Sequence, residues 1–298
     1  MINLLVYFAV HGRHEILDVC LEGIRQLAKH NPEEIKVIPF AVCSSADDME
    51  ILERNDIYTV YHPNDYLGAK KNYGLWEAIK KVDFDYMFEI GSDDVISPKL
   101  LDIYLPMMKE GADYMSIDTF YMVDTISHKT ACVKSDLIIG AGRCIRRDIL
   151  ERMYKVPFEF TVGASGPNFD CYPKMKDFLP VASAKNYEKI GYGNIIGAPE
   201  FVLWKPTIQR GLDTNSHWNI LLSGKCKHQQ IQLDIPYGMD IKSIQNIHPF
   251  SEFEPCEDSL DYIFTFFPEP VILKLKKLMG LEVEEVKEVK KTKARKRK

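Results

Sequence analysis

The sequence predicts an α/β protein in which a mostly parallel, doubly wound sheet is followed by a small C-terminal extension. Two observations support this fold. In the first third of the chain, short continuous apolar runs alternate with segments of helical periodicity, which is the pattern of buried parallel strands separated by helices. The chain also has 298 residues, of which 46% are hydrophobic and 27% are charged, and this composition suffices for a large globular core.

The elements of the first half follow one another in regular order. The predicted strands span residues 2–10, 35–43, 57–61 and 86–90. The predicted helices span residues 15–29, 46–54 and 69–81. Ligands of doubly wound sheets bind beyond the carboxyl ends of the strands, so we expect the functional residues in the loops that follow them.

The second half is less regular. We expect strands over 114–123 and 130–139, which could pair with each other, further strands within 189–203, and helices over 147–154 and 215–222. The segment 158–173 is rich in Gly, Pro, Ser and Asn, and it predicts a loop that could fold over a substrate. From Pro268 an amphipathic helix leads into a charged end of the chain, which we expect to be disordered.

Composition and cysteine usage narrow the class of protein. No stretch approaches the roughly 18–20 apolar residues that span a bilayer, and the first apolar run lacks a basic leader and a cleavage site. We therefore expect neither a transmembrane segment nor a signal peptide. The seven cysteines are scattered without a C-x-x-C pair, which favours reduced thiols in a cytoplasmic compartment. The sequence also lacks a P-loop and a G-x-S-x-G nucleophile elbow.

The charge is unevenly placed along the chain. The last nine residues, which begin at Lys290 and end at Lys298, carry seven Lys or Arg and no acid, although the formal net charge of the whole chain is −5. The rest of the chain is therefore strongly acidic. A basic end of this length indicates weak contact with an anionic membrane or a nucleic acid, or a segment that is simply solvated.

The strongest chemical signal is a pair of acids near the end of the fourth predicted strand. Asp93 and Asp94 closely follow the apolar run 84–90. Adjacent carboxylates repel each other unless a cation compensates, and hard oxygen ligands suit Mg²⁺ or Mn²⁺. The sequence therefore predicts a divalent-metal site here. The alternative is a turn in which both acids cap the helix that begins near Pro98.

A glycine-containing basic segment precedes these acids and opens the helix that leads into the fourth strand. Gly68 permits close approach of a ligand to the backbone. Lys71 and the start of the helix offer positive charge to an anion. A basic helix start and an acidic strand end on neighbouring elements could face the same diphosphate. The alternative is a solvated lysine pair and an incidental glycine.

In order and spacing, these two segments resemble the family 2-like GT-A glycosyltransferases, which have a Gly-x-x-x-Arg-Asn-x-Gly-like helix start and an Asp-x-Asp motif after the fourth strand. The matching positions are Gly68, Lys71, Asn72, Gly74, Ala78, Asp85, Tyr86, Ser92, Asp93 and Asp94. The resemblance covers roughly residues 1–180. It implies a GT-A-like fold, a nucleoside-diphosphate-sugar donor, in the first place a UDP-sugar, and Mn²⁺ or Mg²⁺ as cofactor.

The resemblance also implies roles for the acidic motif. Asp94, its last acid, would ligate the divalent ion that holds the donor diphosphate. Asp93 would be a second metal ligand or a ribose contact. Ser92 stands in the place of the first acid of the motif, and the nucleotide contact that this acid makes in the family would fall to the serine.

The remaining nucleotide contacts fall at strand ends and at the helix start. The resemblance implies His11 and Arg13 after the first strand, Ser44 after the second, and Gly68, Lys71 and Asn72 at the start of the third helix. The acid that the family usually has after the second strand is absent, although Asp47 and Asp48 follow shortly. His11 and His14 could also be ordinary residues of a helix start.

For the general base, the resemblance points to Asp170, which ends the glycine-containing segment 166–170. An N-cap at Asp170 is the alternative. Many metal-dependent members add a late histidine or aspartate, and Asp213 and His217 are the candidates, with His248 behind them. Asp213 and His217 share a face only if their segment is helical, and Asp213 could instead be an N-cap. Asp213 is also the second candidate for the base.

With the resemblance, these features predict a metal-dependent glycosyltransferase that acts on a hydroxyl of a saccharide or glycolipid, with the inverting course that the resemblance implies. The chain also looks similar to compact virus-encoded glycosyltransferases, some of which modify hydroxymethylated bases in DNA. The alternatives are an inactive GT-A-like module that binds a nucleotide sugar or glycan, and a nucleotidyltransferase. We expect the protein in the cytoplasm, in the host cytoplasm if it is viral, with peripheral contact to a membrane.

The predicted organisation has three parts. A catalytic domain spans residues 1–225, with a nucleotide-sugar half over 1–97 and an acceptor half over 98–225. A C-terminal extension with the amphipathic helix spans 226–282, and the charged tail spans 283–298.

Overall fold

The computed structural model describes most of residues 1–154 and 226–282, together with a few short segments between them. The described residues are 1–64, 66–134, 139–154, 203–204, 212–213, 216–217, 220–221, 226–233, 235–246 and 249–282. Their strands are β1 (Ile2–Ala9), β2 (Ile35–Cys43), β3 (Tyr58–Tyr61), β4 (Tyr86–Glu89), β5 (Asp94–Ile96), β6 (Tyr114–Ile117), β7 (Thr119–Asp124), β8 (Thr130–Lys134), β9 (Arg143–Arg146), β10 (His228–Ile231) and β11 (Gly238–Lys242). The helices are α1 (His14–Lys29), α2 (Ala46–Glu53), α3 (Leu67–Lys81), α4 (Lys99–Lys109), α5 (Arg147–Met153), α6 (Leu260–Phe264) and α7 (Glu269–Leu278).

Seven strands form the central sheet in the order β10-β6-β9-β4-β1-β2-β3. The pairs β1–β2, β2–β3, β1–β4 and β6–β10 are parallel, and only β9 runs antiparallel to its neighbours. The mixed α/β fold with a mostly parallel sheet is therefore confirmed. The buried middle of β1 explains why its sequence is a continuous apolar run, because a parallel strand with helices on both faces needs apolar side chains on both.

Helices cover both faces of this sheet. Leu4, Val6 and Phe8 of β1 pack with α1, α2 and α4 in one core. Leu5 and Tyr7, which point to the opposite face, pack with α3 and α5 in the other. This alternation along β1 follows from the two-residue period of a strand, and it confirms the doubly wound arrangement.

A smaller sheet lies beside the central one in the order β5-β11-β7-β8. Strand β11 pairs antiparallel with β5 and parallel with β7. Behind this sheet, the apolar stripe of α7, which includes Val271 and Leu275, packs with Ile16 and Val19 of α1. The predicted amphipathic helix therefore exists, and it covers the smaller sheet.

The predicted boundary at residue 225 does not separate two structural units. Strand β10 completes the central sheet beside β6, and β11 lies inside the smaller sheet. Residues 226–282 are thus built into both sheets instead of forming a separate extension. The reason is the parallel pairing of β10 and β11 with strands far away in sequence, which local periodicity does not reveal.

Two further predictions are corrected. The apolar run 114–123 is not one strand but two, because the chain passes from the central to the smaller sheet at Asp118. The acids Asp93 and Asp94 do not cap a helix, since Asp94 begins β5 and the N-cap residue of α4 is Pro98, which makes no side-chain cap bond. The pairing of β7 with β8 is confirmed.

Other sequence predictions fall outside the described residues. These are the loop 158–173, the strands within 189–203, of which only Leu203 is described, and the charged tail 283–298. Among the residues that are described, no helix has the length and apolar character that crossing a bilayer requires. The six described cysteines are free thiols.

Candidate active site

A cleft of about 770 Å³ opens at the carboxyl ends of β1 and β4. Its size lies in the range of small-molecule and cofactor sites, and its position is the edge at which doubly wound sheets bind ligands. Most of its described lining is polar or charged: His11, Gly12, Arg13, Asn64, Lys70, Lys71, Ser92, Asp93, Asp213, Asp240, Lys242, Gln245 and Asn246. The predicted residues His11, Arg13, Lys71, Ser92, Asp93 and Asp213 are therefore brought together.

Three carboxylates converge at one end of this cleft. One oxygen each of Asp93, Asp94 and Asp240 lies within 4.8 Å of the others. Asp93 lies in the turn after β4, and Asp94 begins β5. Asp240 belongs to β11, where the antiparallel register places it directly opposite Asp94. Like charges directly opposite each other destabilise a strand pair, so this arrangement calls for a compensating cation.

The carboxylates are held at an electrostatic cost. Burial, together with repulsion by Asp240 and Asp93, raises the pKa of Asp94 well above its ordinary value. Burial and repulsion by Asp93 raise the pKa of Asp240 to about 7, although Lys242 opposes the shift. The buried Oδ1 of Asp240 has no hydrogen-bond partner among the described residues. An uncompensated oxygen beside two other carboxylates fits a divalent cation, because Mg²⁺ and Mn²⁺ prefer oxygen ligands.

Among the described residues, two cationic side chains and one side-chain amide already contact these acids. Arg13 Nη1 donates to Asp93 Oδ2 at 2.7 Å, and Arg13 Nη2 donates to Ser92 Oγ at 3.0 Å. The side-chain amide of Asn246 donates to the same Asp93 oxygen at 2.7 Å. Lys242 pairs with Asp240. Ser92 thus binds a protein cation here, in the position where the resemblance implied a nucleotide contact.

The turn that aims Arg13 into the cleft has a left-handed backbone. Gly12 and Arg13 have φ of 61° and 54°, a conformation that is uncommon for any residue except glycine. The side chain of Asp48 holds this turn, since it accepts from the backbone N–H of Gly12 at 3.0 Å and contacts His14 Nε2 at 2.8 Å. Non-glycine residues with such backbones cluster at functional sites.

The oxygens of Asp48 are taken up by the protein. Besides the Gly12 turn, this carboxylate accepts from the N–H of Ser44 at 3.5 Å and belongs to the capped first turn of α2. The hydroxyl of Ser44 is buried without a hydrogen-bond partner in the described structure, and Ser44 does not line the cleft. Asp48 therefore shapes the loop, and Ser44 would reach a nucleobase only after a local movement.

The two adjacent lysines of α3 serve different purposes. Lys71 pairs with the buried Glu89 of β4, and its Nζ lies 4.4 Å from the centroid of the Trp204 ring. Lys70 is 1% exposed and donates to the carbonyl of Val10 at the end of β1. Burial lowers the pKa of Lys70 to about 8. Both lysines line the cleft, but Lys71 has an internal carboxylate partner that the sequence prediction did not foresee.

Asn72 and Gly68 lie behind the cleft wall. The Asn72 amide donates to the carbonyl of Trp204, and its oxygen accepts from Tyr154 Oη at 2.7 Å and from the Trp204 N–H at 3.1 Å. All of these groups are buried. Gly68 is buried and does not line the cleft either. Asn72 therefore ties α3 to the Trp204 segment, and the structure does not place it or Gly68 at a ligand.

Asp213 lines the same cleft, and Arg143 of β9 holds it there. The buried guanidinium donates to the Asp213 carbonyl at 3.1 Å and lies 3.9 Å from its carboxylate. Gly140 makes room for this carboxylate, since a side chain at position 140 would overlap it. The Asp213 side chain is 52% exposed, so it is accessible from the cleft. Asp213 is itself within helical structure, so it is no N-cap. Asp170 and His248 lie outside the described residues.

His217 is not part of the carboxylate cluster. Its Nδ1 lies 3.3 Å from Tyr114 Oη, and its ring lies 5.1 Å from that of His228. Burial, His228 and Arg143 lower the pKa of His217 to about 3. In the part of the chain that the structure describes, the carboxylate cluster consists of Asp93, Asp94 and Asp240, and His217, which the sequence predicted as a metal ligand, lies outside it.

Sequence reasoning missed Asp240, Lys242 and Asn246 because they lie about 150 residues beyond the acidic motif. One local signal was available. In the segment 238–242, Met239 and Ile241 are buried and alternate with the charged Asp240 and Lys242, which is the period of a half-buried strand. The pattern indicates a strand but not the partner across which its acid would lie.

Comparisons with known proteins give distant structural similarity only. No protein-family model matches the chain, and no curated protein is similar to it in sequence. Residues 1–349 of TarS from S. aureus are similar in structure at 14% identity and a TM-score of 0.44, over 80% of this chain and 60% of that one. The complex of the same fragment with UDP-GlcNAc has 14% identity and a TM-score of 0.43, over 96% and 68%.

A third similar structure is the 4-diphosphocytidyl-2C-methyl-D-erythritol synthase from Anaerococcus prevotii, at 13% identity and a TM-score of 0.35, over 56% of this chain and 81% of that one. This chain spans only 60% of the TarS fragment that was solved without ligand. Similarities this distant do not assign an activity, so the function has to be argued from the residues of the cleft.

Proposed function

We propose that the chain is a divalent-metal-dependent glycosyltransferase that transfers a sugar from a nucleoside-diphosphate sugar, in the first place a UDP-sugar, to an acceptor hydroxyl. One observation carries the proposal. Asp93, Asp94 and Asp240 converge within 4.8 Å at the ligand-binding edge of a mostly parallel sheet, in a cleft that also contains Arg13 and Lys70. Such a donor requires carboxylates that bind its metal ion and cationic side chains that bind its diphosphate.

Asp94 and Asp240, with Asp93 beside them, are the residues that would hold Mg²⁺ or Mn²⁺. When bound, the ion would neutralise the charge that develops on the departing diphosphate. The protein itself supplies the orientation. The backbone N–H of Gly91 donates to Asp94, and Asn246 holds Asp93, so both carboxylates are oriented in the absence of a ligand. Preorganised groups of this kind lower the reorganisation that binding demands.

The general base that we propose for the acceptor hydroxyl is Asp170, with Asp213 as the second candidate. Asp170 rests on the family resemblance of its segment. Asp213 is supported by its place on the cleft wall and by its exposed carboxylate. Either group would take the proton of the attacking hydroxyl while the sugar leaves the diphosphate, with the inverting course that the resemblance implies.

For the acceptor we propose a saccharide or glycolipid ahead of a hydroxymethylated DNA base. The cleft wall carries Asp93, Asp213 and Asp240, and the chain is acidic outside its last nine residues. A DNA acceptor would have to bring its phosphates close to these carboxylates. Proteins that bind DNA rely on positive charge to do so.

The test is a binding and transfer series on the purified chain. Thermal shifts are recorded with the UDP, GDP, TDP and CMP sugars, each with Mn²⁺ or EDTA, for the wild type and for Asp94→Ala. We expect one nucleotide class to stabilise the wild type only with Mn²⁺, and we expect the variant to show no shift. Equal shifts in EDTA and Mn²⁺, or a wild-type response of the variant, would contradict the metal site.

Transfer is measured separately from binding. Asp170→Asn should keep donor binding and lose transfer by roughly 10²–10⁴-fold, the usual contribution of a general base. A full rate in Asp170→Asn together with a loss in Asp213→Asn would assign the base to Asp213. Metal-dependent donor binding without transfer or donor hydrolysis, across saccharide, glycolipid and DNA acceptors, would favour the inactive binding module.

A further inference from the structure

The two cations at the carboxylate cluster are held in different ways. Lys242 is 5% exposed at its side chain, pairs with Asp240, and its Nζ lies 5.2 Å from the centroid of the Phe253 ring. Arg13 is 19% exposed and lines the open cleft. Both side chains line the cleft, but Lys242 is almost fully enclosed, whereas the more exposed Arg13 guanidinium can leave its position without disturbing the core.

A divalent ion neutralises the formal charge of the cluster completely only if Arg13 has left it. With Lys242 and Arg13 both in place, the three carboxylates keep one uncompensated negative charge. Without Arg13 they keep two, which a divalent cation neutralises. Arg13 also donates to Asp93 Oδ2 at 2.7 Å, so it already pairs with one acid of the cluster. A cation entering the cluster thus competes with the guanidinium for the same acid.

The local structure favours such a movement. Arg13 is the N-cap residue of α1, and it makes no side-chain cap bond. The helix therefore does not depend on the position of this side chain. Its guanidinium spans Ser92 and Asp93 with two nitrogens, and the same fork matches two oxygens of a phosphate.

We propose that Arg13 is an exchangeable cation of the donor site. It holds Asp93 in the metal-free protein, releases it when the divalent ion binds, and then donates to the diphosphate of the nucleotide. The inference rests on the proposed function and goes beyond it, because it makes Arg13 a competitor of the metal and a partner of the nucleotide. Removing the guanidinium should therefore change the two affinities in opposite directions.

The experiment measures the Kd of Mn²⁺ alone and the Kd of UDP at saturating Mn²⁺, both by calorimetry. The proteins are the wild type, Arg13→Gln, Arg13→Lys and the control Arg54→Gln, which removes the same charge from an exposed helical ion pair away from the cleft. Circular dichroism confirms that each is folded. The variant Arg13→Lys keeps the charge but not the two-nitrogen fork of the guanidinium. Its two Kd values should therefore lie between those of the wild type and those of Arg13→Gln.

We expect Arg13→Gln to bind Mn²⁺ about tenfold more tightly and UDP about tenfold more weakly, the ratio that one charge-assisted hydrogen bond provides. The control should match the wild type in both. Weaker or unchanged Mn²⁺ binding, or unchanged UDP binding, would overturn the exchange. If wild type and Arg13→Gln bind both probes alike, this inference fails and the proposed function stands. Absence of Mn²⁺ binding in all four proteins overturns both.

Discussion

Replacing Asp94 by asparagine should stabilise the metal-free protein while it destroys the metal site. Asp94 is buried and faces Asp93 and Asp240 with oxygens within 4.8 Å. Two unit charges about 5 Å apart repel by about 3 kcal/mol at an effective dielectric constant of about 20. Arg13 and Lys242 offset part of this repulsion. We therefore expect a net gain of roughly 1–3 kcal/mol in the free energy of unfolding.

The sign of the pH dependence follows from the raised pKa of Asp94. Its charged form is disfavoured in the fold, so the penalty is absent below the unfolded pKa of about 3.9 and grows as pH rises towards the folded value. The advantage of Asp94→Asn should thus be largest at alkaline pH and should shrink in acid. The asparagine carbonyl can still accept from the Gly91 N–H, which now donates to Asp94.

The assay is urea denaturation in EDTA at about pH 8 and about pH 5, the two sides of the range over which carboxylates with raised pKa values titrate. Glu33→Gln, which removes a charge at an exposed position outside the cleft, is the control. Addition of Mn²⁺ should then stabilise the wild type and leave Asp94→Asn unchanged. A variant that is equally or less stable than the wild type in EDTA at the higher pH would refute the repulsion argument.

Three further predictions concern the cleft wall. Gly140→Ala should impair transfer as Asp213→Ala does, because the methyl group displaces the Asp213 carboxylate. In a double-mutant cycle, Gly140→Ala should cause little further loss of transfer rate when Asp213 is already alanine. Asn72→Ala should lower the free energy of unfolding by about 2–4 kcal/mol, since it leaves the backbone groups of Trp204 unpaired, and urea titration with and without Mn²⁺ should show no change in metal response. Lys70 has a pKa lowered to about 8, so the folded state loses its proton first, and stability should rise by roughly 2–4 kcal/mol between about pH 8 and 10.4. Lys70→Met should lack this rise in urea titrations across that range.

The sequence determined the parts of this protein that depend on neighbouring residues. The central strands β1 and β4 could be predicted because burial on both faces makes a strand continuously apolar. The place of Asp93 and Asp94 at the ligand-binding edge followed from the same run, since a turn directly after a parallel strand lies at that edge. The metal hypothesis came from the two adjacent acids, from the basic helix start before them and from the family resemblance that these segments carry.

Local patterns were insufficient where the chain changes sheets. The run 114–123 is largely apolar, yet it divides at Asp118, whose carboxylate accepts from Thr119 Oγ1 and from the Leu233 N–H, both at 2.9 Å. An apolar run shows that a segment is buried. It does not show to which of two sheets each half belongs.

Only the tertiary structure decided which charges meet. Lys71 was predicted to face a phosphate, but it pairs with Glu89 of β4. The helix α3 packs against β1 and β2, and the sequence does not display this packing. Asp240 became the partner of Asp94 through the pairing of β11 with β5. Periodicity is a property of residues close together in the chain. The contacts of a site also join residues far apart, such as Arg13 with Asp93 and Asp94 with Asp240, and these depend on strand order and register.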